Sequence, residues 1–158
     1  MAQFTVRPAT VGDARAMAEL FAAVAEERDG IASEPPVDLA ERTARFAASI
    51  GESFVAVGGD RVIGLIHVEV SRHGFGEIGM LVDREWRGRG VGWALFQAAI
   101  DWARGHGLHK LSLEVFAHNT AAIALYRKCG FVEEGHRVRH YRRASGELWD
   151  ALVMGLPL

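Results

Sequence analysis

The chain has 158 residues, a formal net charge of −2 and 49% hydrophobic residues. This length can bury a core, so we expect one domain over residues 1–158. The balanced charge favours neither a nucleic-acid partner nor a membrane surface. The single cysteine, Cys129, excludes an internal disulfide and suits a reducing compartment. Since Met1 to Pro8 also lack the apolar run of a signal peptide, we expect a cytoplasmic protein.

Hydrophobic periodicity and turn residues predict eleven elements in the order βααβββαβαββ. Capping-box spacing of Thr10 and Asp13 starts the first helix, and Asp38 can cap the second. The order favours an α/β domain with a mixed central β-sheet and flanking helices. The predicted elements are a strand around Phe4 and Val6 that stops at Pro8, a helix from Val11 to Glu27, a helix that buries Leu39, Phe46 and Ile50, strands Ser53–Val57, Arg61–Val70 and one ending at Val82, a well-buried helix from Gly90 to Arg104 that includes Trp93, a strand from Leu108 to Val115, a helix from Asn119 to Lys128, and a hairpin of Phe131–Arg143 and Glu147–Met154.

The most distinctive stretch runs from Ile78 to Trp93, where a strand, a glycine-rich turn and a helix follow one another. Such a junction collects backbone N–H groups at the positive end of a helix dipole, which predicts a phosphate or pyrophosphate site. No lysine follows the glycines, so a Walker loop does not fit, and the G-x-G-x-G spacing differs from a dinucleotide fingerprint. The alternative is a glycine turn that merely joins a strand to a helix.

Arg87, Gly90 and Gly92 match the pattern Arg/Gln-x-x-Gly-x-Gly/Ala, which resembles the acetyl-CoA loop of the GCN5-related N-acetyltransferase (GNAT) family. A second match lies downstream and resembles the end of the GNAT core: Leu113, Glu114, Val115, Asn119, Ala122, Tyr126, Gly130 and Phe131. The resemblance covers Ser53 to Phe131 by motif and the whole chain by element order.

This resemblance implies a GNAT domain in which the fourth and fifth strands are parallel and splayed apart, with acetyl-CoA as cosubstrate and no metal. The family's general acid corresponds to Tyr126, and Asn119 would contact the CoA arm. Leu81 or a neighbour would donate an N–H to the thioester oxygen. The pantetheine would bind Met80, Leu81 and Val82, and the pyrophosphate would bind the main chain after Arg87, at Gly88, Arg89, Gly90, Val91, Gly92 and Trp93.

The residues themselves leave more than one interpretation open. Asn119 can be a simple helix cap, and Tyr126 can be a core aromatic with its hydroxyl at the rim. Glu114, which faces away from its neighbours on a regular strand, matches the base of the branch that acetylates protein N-termini. It can equally be a surface carboxylate paired to an arginine. Rival bases are Glu69, Glu77 and His118.

The expected reaction is direct transfer of an acetyl group to the primary amine of a small molecule, such as an amino acid, a polyamine or an amino-acid-like toxin. Residues from Glu134 to Ala151 look like that branch, whereas Leu113 to Phe131 look like the branch that modifies a ribosomal protein. A non-catalytic CoA-binding module is a competing hypothesis, and so is a protein that binds ATP or NAD.

The histidines and the basic residues of the last hairpin give weaker indications of function. The seven histidines form no ligand set with the spacing of a metal site, so no metal is predicted. The basic stretch of the last hairpin is interpreted as a solvated strand or one that faces a homodimer partner, with an anion-binding site as the alternative: Arg137, Arg139, Arg142 and Arg143.

Overall fold

The computed structural model describes residues 3–158 and arranges them around one seven-stranded sheet. The elements follow the predicted order, with boundaries that differ from the predicted ones by a few residues at most places. The strands are β1 Thr5–Pro8, β2 Ser53–Gly58, β3 Arg61–Val70, β4 Phe75–Val82, β5 Lys110–Phe116, β6 Val132–Arg142 and β7 Leu148–Pro157; the helices are α1 Ala14–Glu26, α2 Leu39–Ala48, α3 Val91–Gly105 and α4 Thr120–Lys128.

Side-chain hydrogen bonds mark the start of the 3₁₀ turn that precedes α1 and the start of α2. The Asp13 carboxylate accepts a hydrogen bond of 2.7 Å from the Thr10 N–H, as the capping-box spacing predicted. A 3₁₀ turn over Val11–Asp13 precedes α1, so the α-helix begins three residues later than predicted. Asp38 caps α2 by accepting a hydrogen bond of 3.0 Å from the Glu41 N–H.

The sheet has the strand order β1-β2-β3-β4-β5-β7-β6. Within residues 3–158, β4 and β5 are the one parallel pair, and α3 connects them. Their pairing runs only from Phe75 and Lys110 to Glu77 and Ser112. Both strands continue beyond these pairs, to Val82 and Phe116, so they separate into an open wedge.

Each face of the sheet carries its own hydrophobic core, because alternate residues of a strand point to opposite faces. Val55, Leu65 and Leu81 pack against α1 and α2. Ala56, Ile66 and Val82, which alternate with those residues, pack on the other face with α3, whose Leu95 and Phe96 are fully buried.

Trp93 was expected to be buried with the rest of α3, but its side chain is 37% exposed. The residue lies two positions from both Val91 and Leu95, which are buried, and two helical positions span about 200° around the axis. Trp93 therefore faces away from the core, and the Lys128 ammonium lies 5.1 Å from its ring centroid.

None of the helices within residues 3–158 is long and apolar enough to cross a membrane.

The Arg7–Asp13 ion pair predicts a pH-dependent contribution to stability. Arg7 donates two hydrogen bonds, of 2.8 and 2.9 Å, to the Asp13 carboxylate, and this contact lowers the pKa of Asp13 to about 2. A carboxyl whose pKa is lower in the folded state stabilises the fold above its unfolded pKa and loses that effect as the pH falls towards the folded pKa. We expect Asp13→Asn to cost on the order of 1–2 kcal/mol in unfolding free energy at pH 7, with the difference from the wild type shrinking between about pH 4 and about pH 2. Urea unfolding across this pH range measures the difference, and a constant difference would contradict the assignment.

Candidate active site

The wedge between β4 and β5 leaves backbone groups of β4 without a strand partner. The Asp83 N–H donates to Ile63 O on β3 at 2.8 Å. Because N–H groups alternate in direction along a strand, the Leu81 N–H also points to β3, whereas those of Met80 and Val82 point into the wedge. The wedge is therefore lined by backbone donors and acceptors that an extended ligand could use.

A cleft runs from this wedge towards the start of α3. We call the part of the cleft that lies next to the glycine loop and α3 the glycine-loop half. It encloses about 270 Å³. Seven of the residues predicted to bind the cofactor line it: Met80, Leu81, Val82, Arg87, Gly88, Gly92 and Asn119. Four others lie in the same loop and first helical turn without being among its lining residues: Arg89, Gly90, Val91 and Trp93.

The glycines give the loop its shape. Gly88 and Gly90 have φ values of +75° and +85°, a backbone region that strongly favours glycine, and α3 begins directly after Gly90. A Cβ atom at Gly92 would lie 2.7 Å from Leu125 Cδ2, so glycine lets α3 approach α4 closely. The first N–H groups of α3 have no partner within the helix and lie at its positive end, which suits a phosphate.

Arg87 fixes the loop to two other parts of the chain. Its Nε donates to Val82 O at the end of β4, at 3.0 Å. Its two Nη atoms donate to both carboxylate oxygens of Glu27, each at 2.8 Å. The guanidinium is thus engaged by Glu27, directly after α1, and by β4, so Arg87 holds the loop in place through these contacts.

Asn119 has the capping role that was one of the two interpretations, since its Oδ1 accepts a hydrogen bond of 3.3 Å from the Ala122 N–H. It also lines the glycine-loop half, so the cap does not remove it from the cleft. The capping role is confirmed, and a contact between Asn119 and the CoA arm stays a prediction.

Tyr126 is 9% exposed and is not among the lining residues of the cleft, although the preceding Leu125 is. Its ring packs edge-on against Phe96 and Phe131, with centroid distances of 5.4 and 6.3 Å. Burial raises the pKa of Tyr126 to about 12, so the phenol keeps its proton at neutral pH.

The second part of the cleft, which we call the Glu114 half, lies between the splayed strands and encloses about 160 Å³. Glu114 projects from the face opposite to buried Leu113 and Val115, as strand alternation predicted. Its carboxylate accepts a hydrogen bond from the Tyr141 hydroxyl and lies 3.2 Å from Arg137 Nε. Burial, followed by the hydrogen bond to Glu114, raises the pKa of Tyr141 to about 12, so Tyr141 acts as the donor.

The rival bases are placed differently. Within residues 3–158, neither Glu69 nor Glu77 lines the Glu114 half, and the two are paired across β3 and β4. His118 contacts Asp29 at 2.9 Å instead. The described residues also contain no cluster of three His, Cys, Asp or Glu side chains that could hold a metal ion.

Sequence reasoning did not identify the residues that close the cleft. Gly30 and Ile31, in the connection between α1 and α2, line both halves, and Ala32 lines the Glu114 half. Tyr141 reaches Glu114 from β6, 27 residues away. These residues carry no local motif, because tertiary packing alone brings them to the site.

The family model described as "Acetyltransferase (GNAT) family" matches residues 15–131. The chain belongs to the GNAT family of acetyltransferases. It is therefore an acetyl-CoA-dependent N-acetyltransferase, and the family and fold class expected from the sequence are confirmed.

Several GNAT relatives differ in their acceptors. Aminoglycoside N(6')-acetyltransferase type 1 of Stenotrophomonas maltophilia is 34% identical over 149 residues, which covers 87% of this chain and 92% of that enzyme. The ribosomal protein bS18-alanine N-acetyltransferase of Salmonella typhimurium is 43% identical over 77 residues, about half of each chain. The crystal structure of a ribosomal-protein-alanine N-acetyltransferase from Brucella melitensis superposes with a TM-score of 0.89 at 28% identity, covering 98% of this GNAT chain and 99% of that one.

The left-handed conformation of Gly90 yields a stability prediction for this GNAT loop. Gly90→Ala places a Cβ atom on a residue with φ of +85°, which should cost about 1 kcal/mol or more. Gly105→Ala is the matched control, because Gly105 is helical and a Cβ there meets nothing within 4 Å. It should leave stability unchanged or raise it by up to about 1 kcal/mol. Urea unfolding compares the two, and equal stabilities would show that Gly90 does not need this conformation.

Proposed function

We propose that this GNAT enzyme transfers the acetyl group of acetyl-CoA to a primary amine of a small molecule by direct attack. The observation that carries the proposal is the continuity of the cleft. The glycine-loop half and the Glu114 half share Gly30, Ile31 and Met80, so a thioester bound along β4 and an amine near Glu114 would meet at the wedge.

The chain's residues fit acetyl-CoA. In the proposal the pantetheine adds to β4 like a strand and bonds the backbone groups that face the wedge. The pyrophosphate binds main-chain N–H groups at the start of α3, where Gly88 and Gly92 leave room for its close approach. When bound, acetyl-CoA supplies the activated acyl group.

The tetrahedral intermediate needs a donor for its oxyanion. The sequence suggested Leu81 or a neighbour. Strand alternation favours the neighbours, because the N–H groups of Met80 and Val82 face the wedge whereas that of Leu81 faces β3. One such donor is typically worth on the order of 3 kcal/mol in transition-state stabilisation.

Because Tyr126 matches the family's general acid, it is proposed to donate a hydrogen bond to the departing sulfur, which requires its buried hydroxyl to reach the cleft that the neighbouring Leu125 lines. Its pKa of about 12 keeps the proton in place until negative charge develops nearby. A thiol has a pKa of about 8.5, so complete transfer from the buried phenol to the thiolate would be uphill. These pKa values favour a hydrogen bond from the phenol to the developing thiolate, with Tyr126 keeping its proton and the released thiolate taking its own proton from water.

Glu114 is proposed to accept the proton of the attacking amine, directly or through a water. Among the four carboxylate and imidazole candidates it is the one that lines the cleft within the described residues. The hydrogen bond from Tyr141 holds one carboxylate oxygen, and the other lies near Arg137 at the cleft surface.

The size and walls of the Glu114 half support a small acceptor. It encloses about 160 Å³ and is bounded by segment 30–32 on one side and by Tyr141 and Ala151 on another. A relative aligned over 92% of its own length is an aminoglycoside acetyltransferase. A protein N-terminus is the second candidate, supported by the ribosomal-protein-alanine relatives.

A binding and turnover experiment tests the proposal. CoA at 100 times its dissociation constant should stabilise the fold by about 2.7 kcal/mol, which raises Tm by several degrees. Thiol release from acetyl-CoA should then appear with at least one of a panel of amino acids, polyamines and aminoglycosides. Release with only an N-terminal alanine peptide would favour the second candidate, and a chain that CoA does not stabilise would overturn the assignment of the loop.

The proposed roles of Tyr126 and Glu114 predict matched kinetic defects. Tyr126→Phe and Glu114→Gln keep the shape of each side chain, so the dissociation constant of CoA should stay within about threefold of the wild-type value while kcat falls by about tenfold or more. Calorimetric titration with CoA and initial rates with the acceptor from the panel give both quantities. Unchanged kcat in either variant would remove that residue from the mechanism.

A further inference from the structure

Arg143 is a charged side chain that lies in the interior, at the base of the turn between β6 and β7, and is 4% exposed. Two backbone hydrogen bonds define the turn around it, from Arg143 N to Glu147 O and from Gly146 N to Arg143 O, each 2.8 Å. A guanidinium so far from water needs partners inside the protein.

Those partners are backbone carbonyls of the connection between α1 and α2, more than a hundred residues earlier in the chain. Nη1 of Arg143 donates to Ala32 O at 2.9 Å, and Nη2 donates to Arg28 O and Ile31 O, each at 3.4 Å. Glu34 lies beside this contact: its Oε2 accepts a hydrogen bond of 2.8 Å from the Ala144 N–H and lies 3.9 Å from Arg143 Nε, which makes no hydrogen bond within the described residues.

Two aromatic rings lie close to this guanidinium. Its central carbon lies 4.4 Å from the Trp149 ring centroid and 5.0 Å from the Phe116 centroid. The two rings contact each other edge-to-face at 5.0 Å. A planar, delocalised cation stacks on such surfaces and still offers several donors in fixed directions, which a lysine ammonium cannot do.

Segment 28–34, which Arg143 contacts, forms no helix or strand of its own. Gly30 and Ile31 within it line both halves of the cleft, and Ala32 lines the Glu114 half. Any change in the position of this segment therefore alters the binding surface for both substrates at once.

We propose that Arg143 is a positioning residue that holds segment 28–34 against the cleft and so sets the affinity of the site without touching a reactant. The inference rests on the proposed function for its consequence on CoA binding, but not for its effect on the segment. Since Arg143 acts through three carbonyls and two rings, charge alone should not replace it.

The test compares Arg143→Lys with Arg142→Lys, the same substitution at the exposed neighbouring residue. Trypsin can report on the segment because Arg28 is 55% exposed and lies at its start. In Arg143→Lys we expect cleavage after Arg28 to be about tenfold faster than in the wild type. Cleavage after Arg61, which lies in another hairpin, should be unchanged, and Arg142→Lys should behave as the wild type at both sites.

CoA binding by calorimetry provides the second measurement. In Arg143→Lys the dissociation constant of CoA should rise by about three- to tenfold while the Tm stays within a few degrees of the wild type. Glu34→Gln keeps an oxygen for the Ala144 N–H but removes the charge opposite Arg143, together with the charge that lies 3.8 Å from the Arg28 guanidinium. Because losing the Arg28 contact can itself speed cleavage there, CoA affinity is the readout for this variant. It should weaken as in Arg143→Lys, and if Arg143→Lys does not fold, an unchanged dissociation constant in Glu34→Gln overturns the proposal.

The two measurements are interpreted together. Faster cleavage after Arg28 together with weaker CoA binding supports the proposal. A change in one quantity without the other overturns it, as does no change in either. If CoA fails to bind the wild type, the proposed function falls, and the cleavage rates alone decide whether Arg143 positions the segment.

Discussion

The rest of the site depends on one feature of the sheet: the hydrogen-bonded pairing of β4 with β5 stops after Glu77 and Ser112. Elsewhere in a sheet, backbone N–H and C=O groups are satisfied by the next strand, and leaving them unpaired away from water is costly. Here β4 keeps its bonds to β3 while its other edge faces a cleft that solvent enters. A ligand with amide groups at strand-like spacing can replace that solvent. The sheet therefore supplies binding groups by omitting a few of its own hydrogen bonds.

A wedge between two strands needs walls, and distant parts of the chain supply them through polar contacts to backbone. Arg87 connects the glycine loop to Glu27 and to Val82 O, and Arg143 connects the last hairpin to segment 28–34. Isolated surface ion pairs contribute little to stability. Arginines that donate to carbonyls at fixed angles have a different effect, because they determine the position of a loop that has no regular structure. The cost of burying Arg143 is consistent with that use, because an apolar side chain could fill the space but could not bond three carbonyls.

The fold was predictable because its signals are local. Alternation, helical periodicity, caps and turn glycines indicated the element order, and Arg61–Val70 was predicted with its observed ends. The glycine loop was predictable for the same reason, since strand, turn and helix N-terminus are contiguous. An arginine partner for Glu114 was one of the interpretations of the sequence and is observed as Arg137, but neither the choice of that arginine nor the contact with Tyr141 was predictable. β6 contains extra residues between Arg137, which pairs with Ala151, and Tyr141, which pairs with Trp149. Regular pairing would place residue 139 opposite Trp149, and the irregularity, where Arg139 has φ of +51° and its N–H donates to Asp150, places Tyr141 there instead.

That irregularity also bears on the proposed role of Glu114 as the base for an acceptor amine. Glu114 is held by two groups of different kinds, the Tyr141 hydroxyl and the Arg137 guanidinium. The side chains of Glu114 and Arg137 are 32% and 48% exposed, so their attraction is screened by water and separating them costs little. An incoming ammonium can therefore take the place of Arg137, whereas the Tyr141 hydrogen bond, made by a phenol that stays protonated, keeps the carboxylate pointed into the wedge. In the proposed reaction, Tyr141 orients the base, whereas Arg137 is the counter-ion that the substrate replaces. Both residues belong to β6.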